Sequence, residues 1–145
     1  MQTVSVIIAS RLARSARPEA NGQLHIEAAL RSIRAQTIAD RVRFQILVGI
    51  DHGAEVPAQF ADDPGIQIVE SAGRTQAAAL NAAAAHAEGE FVAFLEDDDL
   101  WDPCFVQAAL TALALKGFGF SSSSLLETNE AGRPLRMLDF PIMSG

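Results

Sequence analysis

Cysteine is almost missing from this sequence: Cys104 is the only one in 145 residues. No disulfide framework can form within the chain, and a reducing compartment is its simplest setting. Positive charge is scarce too, with 11 Lys and Arg against 18 Asp and Glu, a formal net charge of −7. Binding to nucleic acid needs a clustered basic face that neutralises phosphates, so no nucleic-acid partner is expected. A polyphosphate ligand is still allowed, because a carboxylate site can hold one through a bridging divalent cation. The apolar run at 4–9 is too short to span a bilayer, so no transmembrane segment is expected there. It also has no basic stretch before it, which favours a buried strand over a signal peptide and a cytoplasmic domain over a secreted one. His25, His52 and His86 are not spaced as a paired metal motif, and a single cysteine gives no basis for a structural zinc site. There is no internal repeat.

What is present fits one globular domain over 1–145. Hydrophobic residues make up 49% and charged residues 20%. A chain of this size hides roughly 70% of the surface it exposes when unfolded. Residues 4–9 form a continuous β-branched run, as expected of a strand covered on both faces. A polar loop follows over 10–21, with Arg11, Arg14 and Arg17. From 24 to 36, Ile26, Leu30 and Ile33 recur at helical spacing and predict a helix. Residues 44–50 and 66–69 read as the second and third strands. The alanine-rich stretch 75–87 reads as a helix that Gly89 stops. Residues 91–95 are the fourth strand. Asp102 and Pro103 suit the N-cap and first position of a third helix ending near Lys116 and Gly117. Two strands joined around 129–133 are expected over 118–141. This alternation predicts a mostly parallel, Rossmann-like α/β sheet flanked by helices.

In open sheets of this kind, ligands bind outside the carboxyl ends of the strands. Polar residues gather at those positions. Ser10 and Arg11 follow the first strand, Asp51 the second, Ser71 to Arg74 the third, and Glu96, Asp97, Asp98 and Asp99 the fourth. Four consecutive carboxylates repel one another and call for a counter-ion. Hard divalent cations take oxygen ligands, and Mg²⁺ commonly combines one or two carboxylates with waters and substrate phosphates. The competing explanation is that Asp99 and Asp102 only cap the next helix and complement its dipole.

On these residues the chain resembles the family-2 glycosyltransferases with the GT-A fold. The resemblance runs over about 1–106 and is weaker over 107–145. It is carried by VSVIIAS (4–10), AALRSIRAQT (28–37), ILVGIDHGAE (46–55) and, most specifically, AAALNAAAAHAEGEFVAFLEDDDLWDP (77–103). It implies that Asp98, the last carboxylate of a DxD-type motif, binds Mg²⁺ or Mn²⁺ on the donor's diphosphate. Glu96 takes the motif's first position, where Asp is usual, as a second metal ligand. Asp97 is implied to lie near the ribose, with Ala9 and Ser10 lining the base pocket through backbone groups. Asp51 is implied to accept a hydrogen bond from the nucleobase; the alternative is a turn-forming Asp before His-Gly. Arg74 either meets the nucleotide or is a solvated arginine at a helix start. Trp101 is expected to pack at the strand-to-helix corner, His52 to be a turn residue and Cys104 to be buried.

The activity implied is metal-dependent transfer from a nucleotide-diphosphate sugar to an acceptor hydroxyl, this chain supplying the donor half. The acceptor is not legible, and no catalytic base is identified. Glu127, Glu130 and Asp139, the acidic residues beyond the third helix, match no base motif of the family. The expected domain is therefore incomplete on its C-terminal side, a fragment of a longer enzyme. A non-catalytic nucleotide-sugar-binding module remains open beside it. A nucleotidyltransferase needs a glycine-rich phosphate loop after the first strand, which Ala9, Ser10, Arg11 and Leu12 match poorly. A phospho-acceptor receiver domain needs an acidic pair at that place, and the sequence has none there.

Overall fold

The β-branched run that opens the chain becomes β1 (Gln2–Ser10), the strand around which the rest is built. The computed structural model describes residues 1–14, 23–117, 119–129 and 131–139. The greater part of the polar loop expected at 10–21 lies outside the described residues. Then come α1 (His25–Arg34), β2 (Val42–Ile50), α2 (Ala58–Ala61), β3 (Ile66–Glu70), α3 (Gln76–Ala84), β4 (Phe91–Phe94) and α4 (Phe105–Lys116). A final pair, β5 (Leu125–Thr128) and β6 (Pro134–Leu138), forms a separate antiparallel hairpin around the turn at Asn129 and Gly132.

β1 to β4 make one sheet in the order β3-β2-β1-β4, with every pair parallel. β1 lies between β2 and β4, which explains why its residues are apolar on both faces. Val4, Val6 and Ile8 pack with Ile26, Leu30 and Ile33 of α1. On the opposite face, Ile7 packs with Leu47 and with Ala83 of α3. Alternation along one strand thus places helices on both sides of the sheet. β4 is an edge strand. Its Val92 and Phe94 remain exposed on the face where α3 covers Ile7 and Leu47. Among the described residues no helix is long and apolar enough to cross a membrane.

Several boundaries depart from the sequence expectation for identifiable reasons. α3 is capped as its composition suggests, Thr75 Oγ1 accepting from Ala78 N at 3.1 Å, but it ends at Ala84 rather than near 87. There Gln45 of β2 takes over: its Nε2 donates to the His86 carbonyl at 3.0 Å and its Oε1 accepts from Glu88 N at 2.9 Å. α4 starts at Phe105, later than the Asp102 and Pro103 pair suggested. Asp102 instead closes a turn, its Oδ1 accepting from Cys104 N at 2.8 Å. Cys104 itself is exposed, which corrects the expectation of a buried thiol. It occupies the N-cap of α4, with no capping bond from its side chain. The short α2 carries no helical repeat long enough to be read in advance.

Candidate functional site

The chain runs β1, β2, β3 outward in one direction, then crosses back to lay β4 on the other side of β1. The order therefore reverses between β1 and β4, and the crevice outside the carboxyl ends of those two strands is where such sheets hold ligands. Ser10 is the last residue of β1, and the acidic residues Glu96, Asp97, Asp98 and Asp99 follow β4. The two ends meet directly. Ser10 Oγ donates to Asp97 Oδ2 at 2.6 Å, and the same hydroxyl accepts from Leu12 N at 2.9 Å. Leu12 has a φ of +53°, the one non-glycine residue in the left-handed region among the described residues. A leucine there is strained by about 1–2 kcal/mol, and backbone strain of this kind concentrates at functional sites. No residue type in the sequence signalled it.

The four acidic side chains differ in environment. Asp97 is partly buried and committed to Ser10. Glu96 and Asp98 are exposed, and among the described residues neither carboxylate accepts a hydrogen bond or joins an ion pair. Asp99 is partly buried, and its carboxyl is held above the usual aspartate value by desolvation first, then by the negative charges of Asp98 and Glu96. Asp99 does not cap α4; its backbone N–H closes a turn onto the Glu96 carbonyl at 3.2 Å.

The segment after the acidic run is anchored to the C-terminal end of α1. Gln36 is buried and bonded through both ends of its amide. Its Nε2 donates to the Asp102 carbonyl at 2.7 Å and to the Ser32 carbonyl at 3.2 Å. Its Oε1 accepts from Val106 N at 3.0 Å. Ser32 Oγ accepts from Trp101 N at 3.2 Å, and Thr37 N donates to the Pro103 carbonyl at 2.9 Å. Trp101 is buried against Phe105, ring centroids 4.9 Å apart, at the expected corner. The Ser and Gln-Thr at the end of the first helix thus have a physical task, which sequence reading did not assign.

The other strand ends carry Asp51, Ser71 and Arg74. Asp51 is partly exposed and begins a tight turn in which Ala54 N donates to its carbonyl at 3.1 Å. His52 is a turn residue as expected, paired through Nδ1 with Glu70 Oε1 at 2.5 Å. Ser71 is buried and donates to the Gly73 carbonyl at 2.5 Å, shaping the link into α3. Arg74 is exposed at that link. Ala9 is partly buried and paired in register with Gly49. Glu70 was overlooked in the sequence, although a carboxylate ending one strand beside a His-Gly turn on its neighbour was an available signal. A shallow, open hollow of about 570 Å³ lies elsewhere, along α4 between Cys104 and Leu115. It has none of these polar groups and is set aside as a site.

A parallel sheet with helices on both faces and its polar groups gathered at the carboxyl edge defines a Rossmann-like α/β domain. The sequence model of glycosyl transferase family 2 matches residues 19–140. The chain is also 29% identical over 122 residues to an uncharacterized glycosyltransferase of Rickettsia conorii. That match covers 81% of this chain but only 20% of the relative's length. The chain belongs to glycosyl transferase family 2, and its sheet accords with the GT-A fold.

Proposed function

We propose that this chain binds a nucleotide-diphosphate sugar and supplies the donor side of glycosyl transfer to an acceptor hydroxyl, with Mg²⁺ or Mn²⁺ held by Asp98 and Glu96. The observation that carries this reading is the pair of uncommitted carboxylates on Glu96 and Asp98, directly after β4 and beside the Ser10–Asp97 contact. The donor chemistry fits: both are hard oxygen ligands, and their negative charges add to the desolvation that raises Asp99. Among the described residues no three His, Cys, Asp or Glu side chains form a ready cage. Glu96 and Asp98 would hold the cation by one or two carboxylates and leave its remaining positions to substrate phosphates and water, as is usual for Mg²⁺ in nucleotide sites.

In this reading Asp51 accepts a hydrogen bond from a ring N–H of the base. The backbone groups of Ala9 and Ser10 line the base pocket, and Asp97, oriented by the Ser10 hydroxyl, faces the ribose. Arg74 offers a positive charge to the phosphates from the β3–α3 link. When bound, the cation supplies Lewis-acid stabilisation of the charge on the departing diphosphate.

No residue is assigned as general base. Glu127 is ion-paired with Arg136 across the hairpin, and Asp139 accepts from Ser124 Oγ at 2.8 Å. Glu130 lies outside the described residues. Both described carboxylates are engaged within the hairpin, and a nucleotide-sugar-binding module without turnover stands as the alternative reading.

Calorimetric titration of a panel of nucleoside diphosphates, with and without Mn²⁺, tests the proposal on this chain, on Asp98→Ala and on Glu96→Ala. Metal-dependent binding that Asp98→Ala weakens at least tenfold is expected. Equal binding by all three proteins, or binding indifferent to Mn²⁺, overturns it. Release of free nucleotide from a sugar donor with an acceptor present separates the enzyme from the binding module.

A further inference from the structure

We infer that Glu70 is a positioning residue which sets the Asp51 turn and thereby governs how tightly this domain grips a nucleobase. The inference rests on the reading of Asp51 as the base-facing group. β2 and β3 are neighbours with Ile50 opposite Glu70, and Ser71 N donates to the Ile50 carbonyl at 2.9 Å, so pairing continues to the end of β2. Beyond Ile50 the backbone leaves the sheet through Asp51, His52, Gly53 and Ala54.

That turn has a left-handed glycine in its third position, Gly53 at φ +72°. Its one internal bond, from Ala54 N to the Asp51 carbonyl at 3.1 Å, leaves the Gly53 N–H free to be taken by another group. Glu70 takes it. A single oxygen, Oε1, accepts from Gly53 N at 2.8 Å and pairs with His52 Nδ1 at 2.5 Å. One carboxylate therefore fastens two consecutive residues of the turn to the end of the adjacent strand.

Stability alone is a poor explanation for this arrangement. The side chains of His52 and Glu70 are 70% and 51% exposed, and exposed pairs of this kind contribute little to folding. What the bond does is narrow the range of turn conformations. Asp51 is the first residue of the turn, so its carboxylate is aimed by the backbone that Glu70 restrains. Pre-setting such a group before the ligand arrives raises affinity by removing the cost of ordering it on binding.

The test compares Glu70→Ala, Glu70→Gln and Asp51→Ala, and the double variant, in the full chain. The probes are uridine, guanosine and adenosine diphosphates and inorganic pyrophosphate, each with Mn²⁺. Losing the Gly53 bond together with the exposed His52 pair predicts roughly a five- to tenfold weaker affinity of Glu70→Ala for the preferred nucleoside diphosphate. Pyrophosphate affinity stays unchanged. Glu70→Gln recovers most of the loss, because its amide carbonyl still accepts from Gly53 N–H. The double variant binds no more weakly than Asp51→Ala. Amide exchange at Gly53, read by NMR, accelerates in Glu70→Ala and returns toward the parent rate in Glu70→Gln.

A base-dependent loss in Asp51→Ala with none in Glu70→Ala overturns the positioning role and leaves the Asp51 reading standing. Silence of Asp51→Ala overturns that reading and this inference together. Unchanged Gly53 exchange in Glu70→Ala overturns the inference whatever binding shows.

Discussion

The Ser10 hydroxyl donates to Asp97 at 2.6 Å across 87 residues of sequence, tying the end of β1 to the end of β4 where the strand order reverses. The same oxygen accepts from Leu12 N, whose residue is held at positive φ. Ser10→Ala removes both bonds at once from a buried position. Leaving such partners unsatisfied costs about 1–3 kcal/mol when they are buried; Asp97 and Leu12 are partly buried, so urea denaturation is expected to show a loss in the lower half of that range. Relaxation of Leu12 works the other way and keeps the loss toward the lower end. If the proposed donor site is right, metal-dependent diphosphate binding also weakens severalfold, because Asp97 is no longer oriented. Unchanged stability and unchanged binding would show that the contact is incidental.

Gln36 makes a sharper demand. Gln36→Leu keeps the volume but leaves the Asp102 carbonyl and the Val106 N–H without their partner. Two such groups in a buried setting imply a loss of about 2–4 kcal/mol. Because these bonds hold the segment that follows the acidic run, Mn²⁺-dependent binding is expected to fall more than in a surface control such as Gln59→Leu. A Gln36→Leu protein as stable as its parent in urea would mean that water replaces the amide.

The strands were legible because their chemistry is local. The β-branched run of β1 and the apolar stretch of β2 announce buried parallel strands, and Ile26, Leu30 and Ile33 announce the inner face of α1. The acidic run was legible for the same reason, being contiguous. What lies between elements was not. Nothing near Ser10 reveals that β4 will be its neighbour, since that follows from the crossover and not from residues 9–12. The bonds of Gln36 and Glu70 likewise join side chains to backbone groups that only the folded topology brings near. The later start of α4 and the exposure of Cys104 have a related cause: Asp102 meets the sequence pattern of an N-cap but is used in the preceding turn.

Gly49 tests the packing beneath the site. A Cβ built there would lie 2.1 Å from the Ala79 carbonyl oxygen and 2.6 Å from its carbon. The obstacle is the backbone of α3, so no rotamer change relieves it. Gly49→Ala has to push α3 off β2, and overpacking of this kind typically costs about 1–3 kcal/mol. The expected loss is at the upper end of that range, with the Ser71 to Arg74 link displaced along with the helix. A drop below about 0.5 kcal/mol would show that α3 seats less closely than this geometry requires.

Asp63 gives a pH signature that belongs to the scaffold and not to the site. Arg34 Nη2 lies 2.6 Å from Asp63 Oδ2, and Gly65 N donates to Oδ1 at 2.8 Å. The hydrogen bond from Arg34 first, and the one from Gly65 second, hold this carboxyl below its usual value. A carboxylate whose folded value is depressed adds stability above its unfolded value, about 3.9, and loses it as pH falls through the folded value. Arg34 is half exposed, so solvent screening keeps the contribution under about 1 kcal/mol. The difference in unfolding free energy between the parent and Asp63→Asn isolates it from the other titrating groups. That difference should favour the parent near neutrality and shrink toward zero in acid, where a protonated Asp63 resembles the amide. A difference that stays constant from pH 7 down into strong acid would mean that Arg34 and Gly65 distinguish the carboxylate from the amide by shape and not by charge.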